Sequence, residues 1–338
     1  MIQLIFEIGI LELATAFFML VNIIAFILFF TGTWRTSWLV FFALASGGLG
    51  ACVGICVAKT KRKVTTRPLK VVALVGLLVT VIPAIHIIHA YTLDRSIRYV
   101  EIDFHDAHWP AELDGYRIAF ITDLHGIPDA SMRAVADELN ARGIDLLLLG
   151  GDFSMRGDHY LGTLREISRV DATDGIFGVD GNHDVHRRLF PAMHQYGIRP
   201  LDNKGVLIRN GFFLAGVQDL WHRNPNIARA TQGAEPDDFI LLLTHNPDVS
   251  MQQPTAHIDL ILAGHTHAGQ ITFLGYPFYL LLRSITEYGT RFGYGFAYSA
   301  DCVPVFTSSG IGVYYTVPRI FARPEVVIFT MYNDATRP

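Results

Sequence analysis

The chain has 338 residues, is 51% hydrophobic and carries a formal net charge of -4. That length allows one large domain or two, and the acidic balance excludes bulk nucleic-acid binding by charge. The three cysteines are two inside an apolar run and one alone, so no disulfide framework or cysteine-based zinc site follows.

The apolar excess falls first in three uncharged runs, at about 13–34, 36–58 and 71–93. Each reaches the roughly 20 residues that a helix needs to cross a hydrocarbon core, so residues 1–95 are expected to be a membrane domain with three transmembrane helices. Glu7 and Glu12 stand where a cleaved signal peptide would have basic residues. The basic cluster "KTKRKVTTRPLK", Lys59 to Lys70, lies between the second and third runs, whereas the loop before the second run holds only Arg35. The positive-inside bias then predicts a multi-pass inner-membrane protein whose residues 96–338 lie on the extracytoplasmic side. Cys52 and Cys56, one helical turn apart, read as packing residues, and Cys302 stands alone. His86 and His89 near the end of the third run read as interfacial packing, with an intramembrane functional pair as the alternative.

From about Arg98 the texture changes. "RIAFITDLHG" predicts a strand and a polar turn. "DASMRAVADELNARG" predicts a helix with Asp129 as N-cap and Gly143 as its stop. "IDLLLLGGD" is a continuous apolar strand of the kind buried on both faces. "GDHYLGTLREISRV" predicts a helix, "GIFGVDGNHD" a strand and turn, and "VHRRLFPAMHQYG" another helix. "KGVLIRNGFFLAGVQDL" predicts a hairpin turning at Asn210-Gly211. "DDFILLLTHNP" and "HIDLILAGHTH" are two more strands, and "GFAYSA", "VPVFTSSG" and "PEVVIFTMY" make the end β-rich. Strands alternating with helices and then a run of strands predict an α/β sandwich.

The polar residues that close these strands form a series. They are Asp123 and His125 in "TDLH", Asp152 in "GGD", Asn182, His183 and Asp184 in "GNHD", His245 in "LTHNP", and His265 and His267 in "GHTH". Each motif alone reads as a loop. Together they gather carboxylates, imidazoles and an amide oxygen at the carboxyl ends of strands, where open α/β sheets bind ligands. Burying so many polar groups is costly without a counter-charge, and metal ions supply one. Nitrogen and oxygen donors without sulfur suit manganese, iron, cobalt or zinc.

D-x-H, GD, GNHD, H and GHxH in this order resemble the calcineurin-like metallophosphoesterases. "LAGVQDLW", "LTHNPD", "GHTHAGQ" and "RPEV" are similar to the bacterial membrane-anchored branch of that family. The resemblance covers about residues 98–332. It implies a four-layer αββα sandwich, here preceded by the three expected transmembrane helices, and two divalent metal ions, manganese first, with iron, zinc or cobalt as alternatives. By the same resemblance Asp123, His125, Asp152 and His267 would hold one ion. Asp152, Asn182, His245 and His265 would hold the other, with Asp152 as the bridge. His183 would be the general acid and Asp184 its orienting partner. The implied reaction is hydrolysis of a phosphate mono- or diester or pyrophosphate by a metal-bridging hydroxide. The alternative is a binding or signalling module that keeps the fold without turnover. Ser309 stands where many members of that branch carry an arginine, which makes Arg187 and Arg188 candidate substrate contacts; the other reading of that pair is a solvated helix face. "ITFLGYPFYLLL", Ile271 to Leu282, is either a buried strand pair or a loop that touches lipid. The expected partners are the bilayer and a phosphate ester, with lipid-linked esters among the candidates, and no nucleic acid.

Overall fold

The chain divides into two units, Met1–Tyr91 and Thr92–Pro338. The structure, a computed structural model, describes residues 96–334 except 156–159, 271, 273–275, 278–284, 314–318 and 320.

Two six-stranded sheets carry the fold. The first has the order β1 (Arg98–Asp106), β12 (Glu325–Asn333), β2 (Tyr116–Ile121), β3 (Leu146–Leu149), β4 (Ile176–Gly178), β5 (Arg199–Pro200). All its neighbours are parallel except β12 with β2. The second has the order β10 (Gly295–Tyr298), β11 (Pro304–Thr307), β9 (Leu260–Ala263), β8 (Phe239–Leu243), β7 (Phe212–Gly216), β6 (Lys204–Arg209). Its inner four strands are parallel, and both edge strands are antiparallel to their neighbours.

The period-2 alternation of each strand builds the layers. Ile118 and Phe120 of β2 and Leu146 and Leu148 of β3 enter one cluster with Phe239, Leu241, Leu243, Leu260 and Leu262 of the second sheet. That cluster is the core between the sheets. The alternate residues Ala119, Ile121, Leu147 and Leu149 face away from it. They pack on three helices, α1 (Asp129–Arg142), α2 (Tyr160–Ile167) and α3 (His186–Gln195), through Val135, Leu139, Leu164 and Met193. On the far side Ile240, Leu242 and Ile261 meet the short helices α4 (Ile227–Ala230) and α5 (Val249–Gln252). The order helix, sheet, sheet, helix is the mixed α/β sandwich that the sequence implied.

Gly143 ends α1 with φ 67°, as its sequence position predicted. Asp129 differs from expectation: Pro128 is the N-cap, and Asp129 lies in the first turn. There its carboxylate accepts from Arg165 at 2.8 Å, so the acid serves a helix-to-helix ion pair and the macrodipole. The hairpin turns at Asn210-Gly211 with Arg209 paired to Phe212 and Gly211 at φ 75°.

The fold class is corrected in one part. Among the described residues no helix is long and apolar enough to cross a membrane. The longest helix among the described residues is α1 with 14 residues, so it spans ~21 Å at 1.5 Å per residue against about 30 Å of hydrocarbon. Arg133, Asp137, Glu138 and Arg142 also give it a charged face. The expected membrane helices at about 13–34, 36–58 and 71–93, with His86, His89, Cys52 and Cys56, lie outside the described residues. A fold with three transmembrane helices is therefore not carried forward, and the sidedness derived from those spans falls with it. Most of the Ile271–Leu282 segment likewise lies outside the described residues.

Candidate metal centre

Adjacent parallel strands bring the ligand candidates together. Asp123 and His125 follow β2, Asp152 follows β3 and Asn182 follows β4 in the first sheet. His245 follows β8, and His265 and His267 follow β9, in the second. The centre thus lies across both sheets, at the carboxyl ends of their parallel strands.

The geometry is tight. His125 Nε2 lies 2.9 Å from His267 Nε2, and Asp123 Oδ1 lies 3.3 Å from His267 Nε2. Asp152 Oδ2 lies 3.5 Å from His125 Nε2 and 3.3 Å from His245 Nε2, so one oxygen faces both groups. His245 Nε2 is in turn 3.1 Å from Asn182 Oδ1 and 3.2 Å from His265 Nδ1. Two triads converge with ligand atoms within 4.8 Å of one another: Asp123, His125 and His267, and Asp123, Asp152 and His245. Asn182 and His265 join the second triad through His245. Asp123 is the residue common to both triads, while Asp152 links the groups through a single oxygen. Asp123, His125, Asp152, His245, His265 and His267 are all buried.

Backbone carbonyls aim two of the imidazoles. His245 Nδ1 donates to Gly150 O at 2.8 Å, which turns Nε2 toward Asp152. His265 Nε2 donates to Ile285 O at 2.9 Å, which turns Nδ1 inward. This is how metal-ligating histidines are usually oriented.

The electrostatics ask for a cation. Burial lowers His125 to about 4, His265 to about 3 and His267 well below the ordinary histidine value, so all three present neutral imidazoles near pH 7. Burial raises Asp123 to about 6. Burial alone would lower His245, but the carboxylates of Asp152, Asp123 and Asp219 together outweigh it and hold His245 well above its ordinary value. Asp152 itself is held below its ordinary value, because His245 and His125 overcome its burial. A proton on His245 therefore supplies the positive charge between the carboxylates. Divalent ions supply the same charge and displace such protons. Neutral imidazoles, carboxylates and carbonyl-fixed ring orientations fit divalent metals.

The backbone carries strain here. Asp123, His125, Asp152, His265 and His267 all have positive φ, between 43° and 72°. Such left-handed non-glycine residues cost about 1–3 kcal/mol each and cluster at functional sites. Glycines make the approach possible. A Cβ on Gly264 would collide with Thr122 Oγ1 and the Asp123 carboxylate, and one on Gly181 would collide with Asp152 Oδ1.

The remaining sequence candidates lie around this group. The His183 ring is 5.5 Å from the His125 ring, and its backbone N–H donates to Asp152 Oδ1 at 2.9 Å. Asp184 accepts from the backbone N–H groups of Gly181 at 2.9 Å and Ser154 at 3.2 Å, so its carboxylate ties the β3 and β4 loops together. Arg187 and Arg188 are exposed on α3. Ser309 is buried, with its hydroxyl on Arg323 O and its N–H on Glu325.

Two residues with no sequence signal stand out. Arg319 is buried, donates to Gly312 O and Ala322 O, and lies 3.3 Å from His267 Nδ1. Trp221 forms a T-shaped pair with the His265 ring, centroids 4.6 Å apart.

Residues 116–269 match the family described as calcineurin-like phosphoesterase. A Helicobacter pylori protein named "uncharacterized metallophosphoesterase" is 28% identical over 63% of this chain and 58% of its own length. A zebrafish (Danio rerio) "transmembrane protein with metallophosphoesterase domain" is 26% identical over 68% of this chain and 56% of its own length. The Escherichia coli "phosphodiesterase YaeI" is 27% identical over 64% of this chain and 82% of its own length. The chain thus spans less than two thirds of the length of the first two.

Proposed function

We propose that this chain, which carries a calcineurin-like phosphoesterase domain at residues 116–269, is a two-metal hydrolase of phosphate esters, with 96–338 as the catalytic domain. The observation that carries the reading is Asp152 Oδ2, within 3.5 Å of His125 and 3.3 Å of His245. That oxygen suits a bridge between an ion on Asp123, His125, Asp152 and His267 and an ion on Asp152, Asn182, His245 and His265. Two divalent ions there, manganese first, would supply charge to the phosphoryl oxygens and acidify a water for in-line attack.

The protein residues then have separate tasks. Asp123, Asp152 and the four imidazoles present their donor atoms with little reorganisation, and backbone carbonyls fix the orientation of His245 and His265. His183, beside His125 and only partly buried, delivers a proton to the leaving oxygen. Asp184 keeps the His183 loop on Asp152 through Gly181. Arg187 and Arg188, charged and exposed on α3, meet the distal anionic part of a substrate.

The substrate class is a phosphate monoester, diester or pyrophosphate, in line with a relative named as a phosphodiesterase. A lipid-linked ester and a membrane-associated protein form the narrower reading, supported by zebrafish and cattle (Bos taurus) relatives named as transmembrane proteins. Purified protein should hydrolyse bis(4-nitrophenyl) phosphate with Mn²⁺, lose the activity to EDTA and regain it when Mn²⁺ is restored. Hydrolysis insensitive to EDTA would contradict the metal reading. Binding of phosphate without turnover would favour the binding-module alternative.

A further inference from the structure

The turn after β7, Gln218 to Arg223, forms a wall of the centre that the ligand set leaves without a task. It is held rigidly from below. Asp219 N–H donates to Asp180 Oδ1 at 3.2 Å, and His222 N–H donates to Asp219 Oδ2 at 2.8 Å. Asn224 N–H donates to Gln218 Oε1 at 3.2 Å, and Arg223 Nε lies 3.7 Å from Asp180 Oδ2. Asp180 and Asp219 are both buried, so the turn is anchored on two carboxylates inside the fold.

The anchoring presents one large side chain outward. Trp221 is 45% exposed, although its ring forms a T-shaped pair with that of His265, centroids 4.6 Å apart and interplanar angle 88°. The two rings meet at right angles beside a candidate metal ligand, and much of the indole stays in solvent next to the centre. An exposed tryptophan at a fixed position offers a broad apolar face at low entropic cost. His222 and Arg223 flank it and are also exposed.

We propose that Trp221 is a specificity-determining residue: it receives an aromatic or similarly flat apolar group attached to the phosphorus, and so favours aryl or heteroaryl phosphate esters over small alkyl ones. The inference rests on the phosphoesterase reading and adds the chemistry of one substituent of the phosphoryl group to it. One aromatic contact of this kind is worth about tenfold in affinity.

The test is equilibrium binding, which needs no turnover. Phenylphosphonate and methylphosphonate, neither of them hydrolysable, are titrated into the Mn²⁺-loaded protein by calorimetry. The readout is the ratio of their affinities. In the unsubstituted protein it should favour the phenyl ligand by about tenfold. In Trp221→Ala it should fall to near unity, and in Trp221→Phe most of it should remain. If Trp221 only packed on His265, both ligands would weaken together and the ratio would not move. A ratio unchanged in Trp221→Ala, or near unity in the unsubstituted protein, overturns the proposal. Failure of the unsubstituted protein to hydrolyse bis(4-nitrophenyl) phosphate, with the phenyl preference present, would instead remove the catalytic reading and leave the role of Trp221 standing.

Discussion

Asp152→Asn should lower metal-dependent hydrolysis by roughly 10³-fold or more, beyond the usual loss for removing a single electrostatic contact. The reason lies in one atom. Oδ2 faces His125 at 3.5 Å and His245 at 3.3 Å, while Oδ1 accepts the His183 backbone N–H at 2.9 Å. The substitution removes the anion that faces both sides of the centre. It should not remove the fold. Asp152 has φ 55°, and asparagine tolerates the left-handed region better than other non-glycine residues. The amide also keeps an oxygen for the His183 N–H. Turnover close to that of the unsubstituted protein, at equal metal content by mass spectrometry, would contradict the assignment of Asp152 as the bridge.

His183→Ala should retain the metals and slow hydrolysis of an ester with a poor leaving group by roughly 10²–10⁴-fold, the scale of general acid catalysis. An activated nitrophenyl ester, whose leaving group departs without a proton, should lose far less. The structure separates His183 from the ligand cluster: its ring lies 5.5 Å from that of His125 and stays partly exposed. Burial lowers its pKa, against the pull of Asp152. A lowered pKa makes the imidazolium a better proton donor, at the expense of its population near neutral pH. The alanine leaves the backbone N–H on Asp152 Oδ1 in place, so the bridge stays oriented. Equal losses on both esters would argue against the proton-transfer role and for simple packing.

Much of this centre is legible in the chain because chemistry and periodicity coincide. Leu146–Leu149, Phe239–Leu243 and Leu260–Ala263 are short apolar runs, and each stops at a polar residue of the cluster. Parallel strands buried on both faces have to read that way. What the sequence hides is conformation and distance. Nothing in "TDLH" or "GHTH" declares that Asp123, His125, His265 and His267 adopt positive φ, since the strain is imposed by the surrounding loops. Arg319, alone in "TVPRIF", gains meaning only when the chain returns it to His267, 52 residues away. Trp221 reads as one aromatic in a loop until it meets His265. β1 is a half-buried edge strand and passes as a polar stretch, "RYVEIDFHD". Asp129 was misplaced by one residue because helix ends depend on cap geometry, which composition does not fix. The first apolar runs predicted membrane helices on length and hydropathy alone, and no described helix is of that kind.

The central claim is that two ions share one centre around Asp152. Titration of the metal-free protein with Mn²⁺ tests it most directly, with bound metal counted by mass spectrometry and the spin state followed by electron paramagnetic resonance. The account predicts two Mn²⁺ per chain and, at saturation, an exchange-coupled spectrum, because bridged ions in such centres lie about 3.5–4 Å apart. In Asp152→Asn the coupled signal should be lost. Saturation at one ion per chain, or two ions with an uncoupled spectrum, would contradict the account.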